Sequence, residues 1–484
     1  DREERPDIDK IYIDAAQIMN RQAGWPLNAF ALPDGKPFFV GTYFPKDSWL
    51  ELLGKIADVY SQSPDKIQET ADQVQQGLNS INVERFKTSE GNKSHFNYNR
   101  YREIGKNWSN YADVRLGGFK KAPKFPFPAF WSFLLQYQHL SGDKDALQAT
   151  LNTLNQMIDG GIYDHLAGGF ARYSVDEYWK VPHFEKMLYD NAQLIGLIAD
   201  AYKIAPQKNY KKAIAQTINF LDDELKAENQ GYFSSLNADS EGEEGKFYVW
   251  KKSEIMQVLN EEEYAVFKTY YAISENGNWE EGKNVLHAHK KLDQVAKANN
   301  LSVDEVEQRL EQARKKLKKL RAKRERPSCD DKQLTAWNAM LVSGFVKSFE
   351  ALGEDKYKQK AVDLVDFLMS RMLDDTNQLF RNFKNDRASI IGFLDDYAFL
   401  IRSLIDVYQV SFDINYLYKA NELTSTTLDQ FYDDKMGLFH YQNKASEKLI
   451  SESYEVDDNV IPSSNAIMTE NLVDLAAYFE NSNY

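Results

Sequence analysis

The amino-acid sequence predicts a mainly helical protein in which repeated helix pairs close into a toroid, preceded by a small α/β region. From about residue 96 onward, apolar residues recur with helical spacing in about ten segments. Short Gly- and aromatic-rich segments separate alternate helices, at 161–163, 231–233, 378–380 and 437–439. Self-similar helix pairs predict a solenoid or a closed toroid. The long aromatic loops on one face favour a closed toroid with a single mouth.

Residues 1–83 have a different pattern from the rest. A charged loop containing proline precedes a short amphipathic helix over 9–20. The apolar run 27–32, the turn Asp34-Gly35 and the run 37–40 predict a β-hairpin. Two further helices are predicted over 47–61 and 64–80, and the polar segment 84–95 is predicted to be a linker.

The remaining chain, 96–484, is predicted to form the toroid. Residues 251–330 interrupt its repeat and are interpreted as an insertion. The ten helices make five pairs, and a toroid of six pairs needs about two more, so the sequence predicts an (α/α)6-type toroid that is incomplete at its C-terminus. The predicted helices are 96–112, 129–140, 145–159, 184–205, 209–227, 332–353, 356–373, 393–411, 414–431 and 463–481.

Charge and cysteine content exclude several classes of function. The chain carries 59 Lys and Arg against 73 Asp and Glu, a net charge of −14, which disfavours general binding to nucleic acid or anionic membranes. The basic run 309–326 contains interleaved acidic residues and is interpreted as a solvated helix. The single cysteine, Cys329, allows neither a disulfide framework nor a cysteine zinc site and favours a cytoplasmic location. No membrane span, metal or cofactor is predicted.

The string 181–191 is the densest set of candidate catalytic groups. On a helix over 184–205, Glu185 and Tyr189 share one face, and Lys186 and Asp190 share the next. His183 and Glu185 at the rim of a toroid are candidates for a general base and a general acid. The alternative is structural: Lys186 and Asp190 form a surface ion pair, and Glu185 interacts with the helix N-terminus.

A hairpin that follows helix 145–159 is predicted to face the same mouth. It carries His165, and Arg172 and Tyr173 follow. Together His165 and His183 could exchange a proton on opposite sides of an epimerised carbon. The alternative for a loop histidine is a solvated or hydrogen-bonded residue.

A third set lies near residue 335. Asp331, Thr335 and Asn338 are spaced i, i+4, i+7, one stripe of a helix, with Trp337 beside them. A carboxylate, a hydroxyl, an amide and an indole on one inner face suit a sugar, through hydrogen bonds and ring stacking. The alternative is that Asp330 or Asp331 caps the helix.

The adjacent acids Asp395 and Asp396 open another inner helix and precede Tyr397. Ligand contact and helix capping are both compatible with this position. Because inner helices of a toroid run parallel, their N-terminal ends should gather at one mouth. We therefore expect seven side chains to converge there: those of His165, His183, Glu185, Asp331, Trp337, Asn338 and Asp396.

Several strings along the chain together resemble one family, the thioredoxin-domain family related to the spermatogenesis-associated thioredoxin-like protein. The eleven-residue string 181–191 is the most specific of them. The resemblance extends over essentially the whole chain. The strings lie at 1–7, 24–28, 41–45, 122–126, 168–170, 181–191, 239–242, 282–287, 331–338 and 396–398.

The resemblance implies a thioredoxin-like domain in 1–83 and an (α/α)6 toroid similar to those of N-acylglucosamine 2-epimerases and six-hairpin glycosidases. In the family a Cys-x-x-Cys segment precedes the string 1–7, and this chain begins after it. Trp25-Pro26 matches the place of the thioredoxin cis-proline. We therefore expect 1–83 to be a partial thioredoxin-like domain.

The implied function is binding or transformation of a carbohydrate in the toroid mouth, epimerase-like or glycosidase-like. The alternatives are a thiol-redox or chaperone-like protein with a protein client, and a non-catalytic scaffold whose mouth is filled by side chains. The candidate catalytic residues are His183, Glu185, His165 and Asp331, and the candidate substrate contacts are Arg172, Tyr173, Tyr189, Asp190, Trp337, Asn338, Asp396 and Tyr397.

Overall fold

A computed structural model describes residues 1–19, 21, 23–86, 97–482 and 484. The first part is an α/β unit made of α1 (Pro6–Ile18), β1 (Asn28–Ala31), β2 (Pro37–Gly41), α2 (Lys46–Gln62) and α3 (Pro64–Phe86). The two strands pair antiparallel and the Trp25–Pro26 peptide bond is cis, which confirms the predicted hairpin and the predicted cis-proline.

This unit has its own small core. Side chains of α1, β2 and α3 pack together, and they are Ile11, Ala15, Ala16, Val40, Val74 and Leu78. The predicted linker 84–95 begins inside α3, and residues 87–95 lie outside the part of the chain that the structure describes.

The toroid and its insertion hold the remaining helices. In the toroid, each helix pair places one helix on the inside of the ring and one on the outside. Inner and outer helices therefore alternate along this part of the chain. The helices are α4 (Tyr98–Ser109), α5 (Pro128–Ser141), α6 (Lys144–Asp159), α7 (Leu188–Ile204), α8 (Lys208–Glu224), α9 (Lys252–Val258), α10 (Glu261–Tyr271), α11 (Leu292–Asn299), α12 (Val303–Arg321), α13 (Thr335–Leu352), α14 (Asp355–Arg371), α15 (Leu394–Ser411), α16 (Ile414–Phe431) and α17 (Ser464–Phe479).

The inner ring runs α5, α7, α13, α15, α17, each packed on the next. Inner helices bury residues around most of their surface, as α7 does, whereas the outer helix α8 buries one stripe. Side chains at both ends show that α7 and α13 are parallel: the Tyr189 and Trp337 rings touch at their starts, and Lys203 pairs with Glu350 at their ends. This is the predicted (α/α)-toroid architecture. The ring encloses a lumen of about 490 Å³.

Short strands tie the starts of the inner helices together. β5 runs directly into α7, β12 runs directly into α13, and β6 joins β5 to β11 in one sheet, while β12, β13 and β14 form another. The strands are β3 (Tyr173–Ser174), β4 (Pro182–His183), β5 (Lys186–Met187), β6 (Ser235–Leu236), β7 (Asp239–Ser240), β8 (Glu243–Glu244), β9 (Trp250–Lys251), β10 (Lys283–Asn284), β11 (Cys329–Asp330), β12 (Gln333–Leu334), β13 (Phe380–Lys384), β14 (Arg387–Ile391), β15 (Tyr432–Asp433) and β16 (Leu438–Phe439).

Two predicted helix starts are wrong for the same reason. The helix predicted from 184 begins at Leu188, because Lys186 and Met187 pair with β6 instead. The helix predicted from 332 begins at Thr335, because β12 pairs with β13. Glu185 therefore does not share a helical face with Tyr189, and Asp331 does not belong to a helical stripe with Asn338.

The insertion carries α9 to α12 around a separate apolar core that includes Trp250, Phe267, Tyr271 and Leu310. Its longest helix, α12, is the predicted basic helix, and its charges pair with acidic residues such as Glu262 and Glu263. Across the described ranges, none of the helices combines the length and the apolarity that crossing a membrane requires.

Candidate functional site

The N-terminal ends of the inner helices form one end of the toroid, which we call the mouth. The rings of Tyr189 on α7 and Trp337 on α13 meet edge to face at 4.8 Å. The backbone N–H of Ala336 on α13 donates to Oδ1 of Asp396 on α15 at 3.1 Å. These contacts place the starts of α7, α13 and α15 side by side.

Arg172, Tyr173, His183 and Glu185 form a rim that solvent reaches. Strand β3 places Tyr173 opposite His183 on β4, and the two rings stack at 4.9 Å. Nη1 of Arg172 donates to Oε2 of Glu185 at 2.9 Å. Nδ1 of His183 lies 2.8 Å from Oε1 of Glu244, which fixes the ring, and its Nε2 lies 3.8 Å from Glu185. The side chains of Arg172, Glu185 and His183 are each about a quarter exposed.

Tyr189 and Asp190 lie beneath this rim, and both are almost fully buried, at 2% and 1% exposure. Three buried polar atoms here have no hydrogen-bond partner among the described residues: the Tyr189 hydroxyl, Oδ2 of Asp190 and Nε of Arg172. Buried polar groups are normally paired, so three orphans in one place need an explanation. We call Arg172, Tyr173, His183, Glu185, Tyr189 and Asp190 the mouth cluster.

Burial raises the pKa of Asp190 well above its usual range. The positive charge of Arg172 opposes this shift, and the negative charge of Glu185 adds to it. Burial also raises the pKa of Tyr189, with the Asp190 charge adding to the shift. A buried carboxyl with a raised pKa is a candidate for a general acid.

Replacing Asp190 with asparagine should stabilise the unliganded protein at pH 7. The folded-state pKa is raised above the unfolded value of about 3.9, so the stability that Asp190 contributes is present below that value and is lost as pH rises. We expect Asp190→Asn to gain about 1–2 kcal/mol at pH 7 and nothing near pH 4. Urea titrations at both pH values measure this. A loss of stability at pH 7 would mean that Asp190 is a structural residue.

A second buried polar group lies at the start of α15. Nη1 of Arg381 on β13 donates to Asp395 at 3.1–3.2 Å and to Oδ2 of Asp396 at 3.1 Å. Asp396 also accepts a hydrogen bond from the backbone N–H of Phe393, which confirms the helix-capping role that the sequence offered as an alternative. Burial raises the pKa of Asp396 to about 7 against the opposing Arg381 charge, and burial with the Asp395 charge raises that of Glu455 to about 7.

The N-terminal segment lies over this end of the toroid. Nε of Arg381 donates to the Glu3 carbonyl at 2.5 Å, and Nζ of Lys332 donates to Asp1 at 2.7 Å. The Asn382 amide donates to Glu4 at 2.8 Å, and the Gln442 amide donates to the buried Asp7 at 2.7 Å. The charged string 1–7 therefore joins the N-terminal α/β unit to the mouth.

The predicted contact residue Asn338 is occupied within the fold. Its Oδ1 accepts from the Tyr232 N–H, and its Nδ2 donates to the carbonyls of Tyr232 and Leu334. Asn191 and Asn465 form the same hydrogen bonds with the backbones of Phe170 and Phe439. In each of these three cases, one asparagine binds a Gly-aromatic hairpin to an inner helix. On α15 the buried Tyr397 hydroxyl takes the place of the asparagine and accepts a hydrogen bond from the Leu379 N–H at 2.9 Å.

His165 and Asp331 stand apart from the mouth cluster. His165 is buried, with Nε2 2.9 Å from the Gly160 carbonyl, and burial lowers its pKa to about 3. No contact joins it to His183 within the described ranges. Asp331 lies outside the helix, half exposed, and pairs with Lys384 at 2.6 Å.

Sequence reasoning missed a buried ion triad behind the rim. Arg321 donates twice to the carboxylate of Asp164, at 3.0 and 2.8 Å, and Lys186 donates to it at 3.1 Å. These side chains line a small cavity with His165. Sequence analysis also missed Arg381 and Glu455. A charged residue inside a predicted hairpin was the only sequence signal that could have indicated this buried cluster.

Within the described residues, no group of three or more His, Cys, Asp and Glu side chains is arranged to hold a metal ion. Desolvation by its surroundings and the neighbouring Asp330 and Asp331 raise the pKa of the exposed Cys329 thiol to about 11, which disfavours its thiolate form.

Comparison with known proteins gives a family-model match to the N-terminal region and relatives that match nearly the whole chain. A family model described as Thioredox_DsbH, protein of unknown function, DUF255, matches residues 1–79. An uncharacterized protein of Caenorhabditis elegans is 31% identical over 100% of this chain and 71% of its own length. Human spermatogenesis-associated protein 20 is 31% identical over 99% of this chain, which spans 66% of that relative.

Two solved structures are similar in part. A sugar epimerase from a ruminal bacterium aligns over 78% of this chain and 98% of its own, with 14% identity and a TM-score of 0.36. A GH76 α-mannanase of Bacteroides thetaiotaomicron aligns over 85% of this chain and 96% of its own, with 11% identity and a TM-score of 0.48.

Proposed function

This chain belongs to the family of spermatogenesis-associated protein 20, and from that premise we propose that its toroid binds a carbohydrate at the mouth. One observation carries the proposal: the hydroxyl of Tyr189, Oδ2 of Asp190 and Nε of Arg172 are buried together without partners in the described structure. A sugar ring presents several hydroxyl groups close together, each able to donate or accept a hydrogen bond. Such a ligand satisfies all three atoms at once.

The arrangement of the mouth cluster suits a ligand of this kind. The rim side chains are about a quarter exposed and the floor beneath them is buried, so a ligand held at the rim would lie next to desolvated groups, where hydrogen bonds discriminate most strongly. The stacked rings of Tyr173 and His183 offer an apolar edge beside charged groups. Pockets for polar ligands commonly combine such a surface with a few convergent polar groups.

The cluster also supports proton transfer to or from the bound sugar, as an epimerase-like or glycosidase-like reaction requires. Glu244 holds Nδ1 of His183, so the ring is oriented with Nε2 on the Glu185 side. For a neutral sugar we assign the base to His183 and the acid to Asp190, because burial raises the pKa of its carboxyl. Glu185, paired with Arg172, stabilises positive charge that develops on the sugar.

Binding titrations test the proposal. We expect at least one of glucose, galactose, mannose and N-acetylglucosamine to bind, measured by ligand-observed NMR. Tyr189→Phe removes only an unpaired hydroxyl, so stability should stay within about 0.5 kcal/mol while binding weakens about 3- to 10-fold.

The matched control for that variant is Tyr43→Phe. Tyr43 is 72% exposed and belongs to the thioredoxin-like region. It should leave sugar binding unchanged. The proposal fails if no sugar of a wide panel binds, or if Tyr189→Phe binds as tightly as the unmodified protein.

A second candidate function concerns the thioredoxin-like region. Trp25 and Tyr43 are 54% and 72% exposed there, within the matched residues 1–79. Exposed aromatic side chains favour contact with a protein partner, which suits a thiol-redox or chaperone-like role. An insulin-reduction assay on the full-length protein tests this role. Cys329→Ser should leave the result of this assay unchanged, because the raised pKa makes this thiol, the single cysteine of the sequence, a poor nucleophile.

A further inference from the structure

The mouth cluster holds more carboxylates than cations. Glu185 and Asp190 face one guanidinium, that of Arg172, and Arg172 donates to Glu185 rather than to Asp190. Glu244 lies against His183 at the rim. In the described structure no lysine or arginine side chain lies within hydrogen-bond distance of Asp190. Its carboxyl therefore has no cation of its own.

The charged groups that act on Asp190 are Arg172 and Glu185, and these two pair with each other. The N-terminal segment brings Glu3, whose charge reaches the neighbouring Tyr189 and which pairs with Arg2 at 3.1 Å. On the α13 side, the uncharged ring of Trp337 contacts Tyr189. Each of these cations is therefore already paired with another carboxylate.

A second observation points to a ligand rather than to a solvated acidic patch. Asp190 is 99% buried with one oxygen unpaired, and the Tyr189 hydroxyl beside it is 98% buried and also unpaired. A buried carboxyl without a partner is satisfied either by a proton or by a cationic donor. An ammonium group supplies both a positive charge and three N–H donors.

Building on the proposed carbohydrate binding, we propose that the mouth cluster selects sugars that carry a free amino group over neutral and acidic sugars. The ammonium pairs with Asp190, while the ring hydroxyls meet Tyr189 and Arg172. A neutral sugar forms only the hydroxyl contacts. A uronate brings a negative charge beside Glu185 and Asp190 and is disfavoured.

Matched titrations test the selectivity with the full chain near pH 6.5, where the amine is protonated. The probe pairs are glucosamine with glucose, galactosamine with galactose and mannosamine with mannose, plus glucuronate. We expect at least one amino sugar to bind about tenfold or more tightly than its neutral counterpart, because a charge-assisted hydrogen bond is roughly twice as strong as a neutral one. Glucuronate should bind most weakly.

Asp190→Asn identifies the group responsible. This variant retains size and removes the charge, so the amino-sugar preference should fall to about twofold or less. Asp355→Asn, an exposed control with an 85% exposed side chain, should retain the preference. Equal binding of amino and neutral sugars, or a preference that survives Asp190→Asn, overturns the inference and leaves the carbohydrate proposal standing. Absence of binding by every sugar overturns the carbohydrate proposal itself.

Discussion

Arg381→Ala is expected to lower the free energy of unfolding by about 3–5 kcal/mol. The side chain is 3% exposed and pairs with Asp395 and Asp396, which are 15% and 0% exposed. Its removal leaves two carboxyls buried without a cation and also deletes the bond to the Glu3 carbonyl. This is the structural mechanism that produces the largest losses on substitution.

The loss should depend on pH. The pKa of Asp396 is about 7 in the folded protein, above its unfolded value of about 3.9. Protonation therefore relieves the unpaired carboxyl at low pH, and the loss should be smaller at pH 5 than at pH 8. Urea titrations at both values measure it. Arg387→Ala, at the exposed first residue of strand β14 in the same hairpin, is the control and should change stability by less than about 0.5 kcal/mol.

Arg381→Lys tests whether the positive charge of Arg381 is sufficient or whether the shape of its guanidinium is also required. It retains the charge but cannot form the planar fork that reaches two carboxylates and a carbonyl, so it should recover only part of the loss. Equal stability of the alanine variant and the unmodified protein at pH 8 would contradict the assigned role of Arg381.

Asp164→Ala is expected to destabilise the protein by a similar amount, about 3–5 kcal/mol. The substitution leaves Lys186 and Arg321 buried without their shared anion; their side chains are 4% and 5% exposed. It also removes two backbone hydrogen bonds, from the N–H groups of Leu166 and Ala167, that shape the hairpin. Because Arg321 belongs to α12, the insertion should also detach more easily from the toroid.

Linkage makes the loss on Asp164→Ala smaller at low pH as well, although the pKa of Asp164 is shifted in the opposite direction to that of Asp396. Burial alone would raise the pKa of Asp164, but Arg321 and Lys186 together lower it well below its usual range. Its contribution is therefore present above the unfolded value of about 3.9 and is lost as pH falls below it. Thermal unfolding of Asp164→Ala between pH 3 and 7 checks this, with Asp355→Ala as the exposed control. A variant as stable as the unmodified protein at pH 7 would exclude a structural role for the triad.

Local pattern predicted the elements whose partners are close in sequence. The β1–β2 hairpin follows from two apolar runs around Asp34-Gly35, and the helices follow from apolar spacing. The starts of α7 and α13 could not be placed, because residues 186–187 and 333–334 pair with strands far along the chain. At these positions the backbone hydrogen bonds to the distant strands outweigh the local helical propensity.

The candidate site shows the same limit. The string 181–191 drew attention to His183, Glu185, Tyr189 and Asp190, which share a short segment. Arg381, Glu455 and Asp164 could not be connected with their partners, because only the folded toroid brings them together. Asn338 had a detectable signal: an asparagine recurs near the start of three inner helices, at 191, 338 and 465, which indicates a structural repeat rather than a ligand contact.

The position of a bound monosaccharide in a crystal structure tests the central claim most directly. The carbohydrate proposal predicts a sugar ring at the mouth cluster, with hydroxyl or amino groups about 3 Å from the Tyr189 hydroxyl and from Oδ2 of Asp190. A sugar ordered only in the lumen, for example beside Lys347 and Arg402, with the mouth cluster free of ligand at saturating concentration, would contradict it.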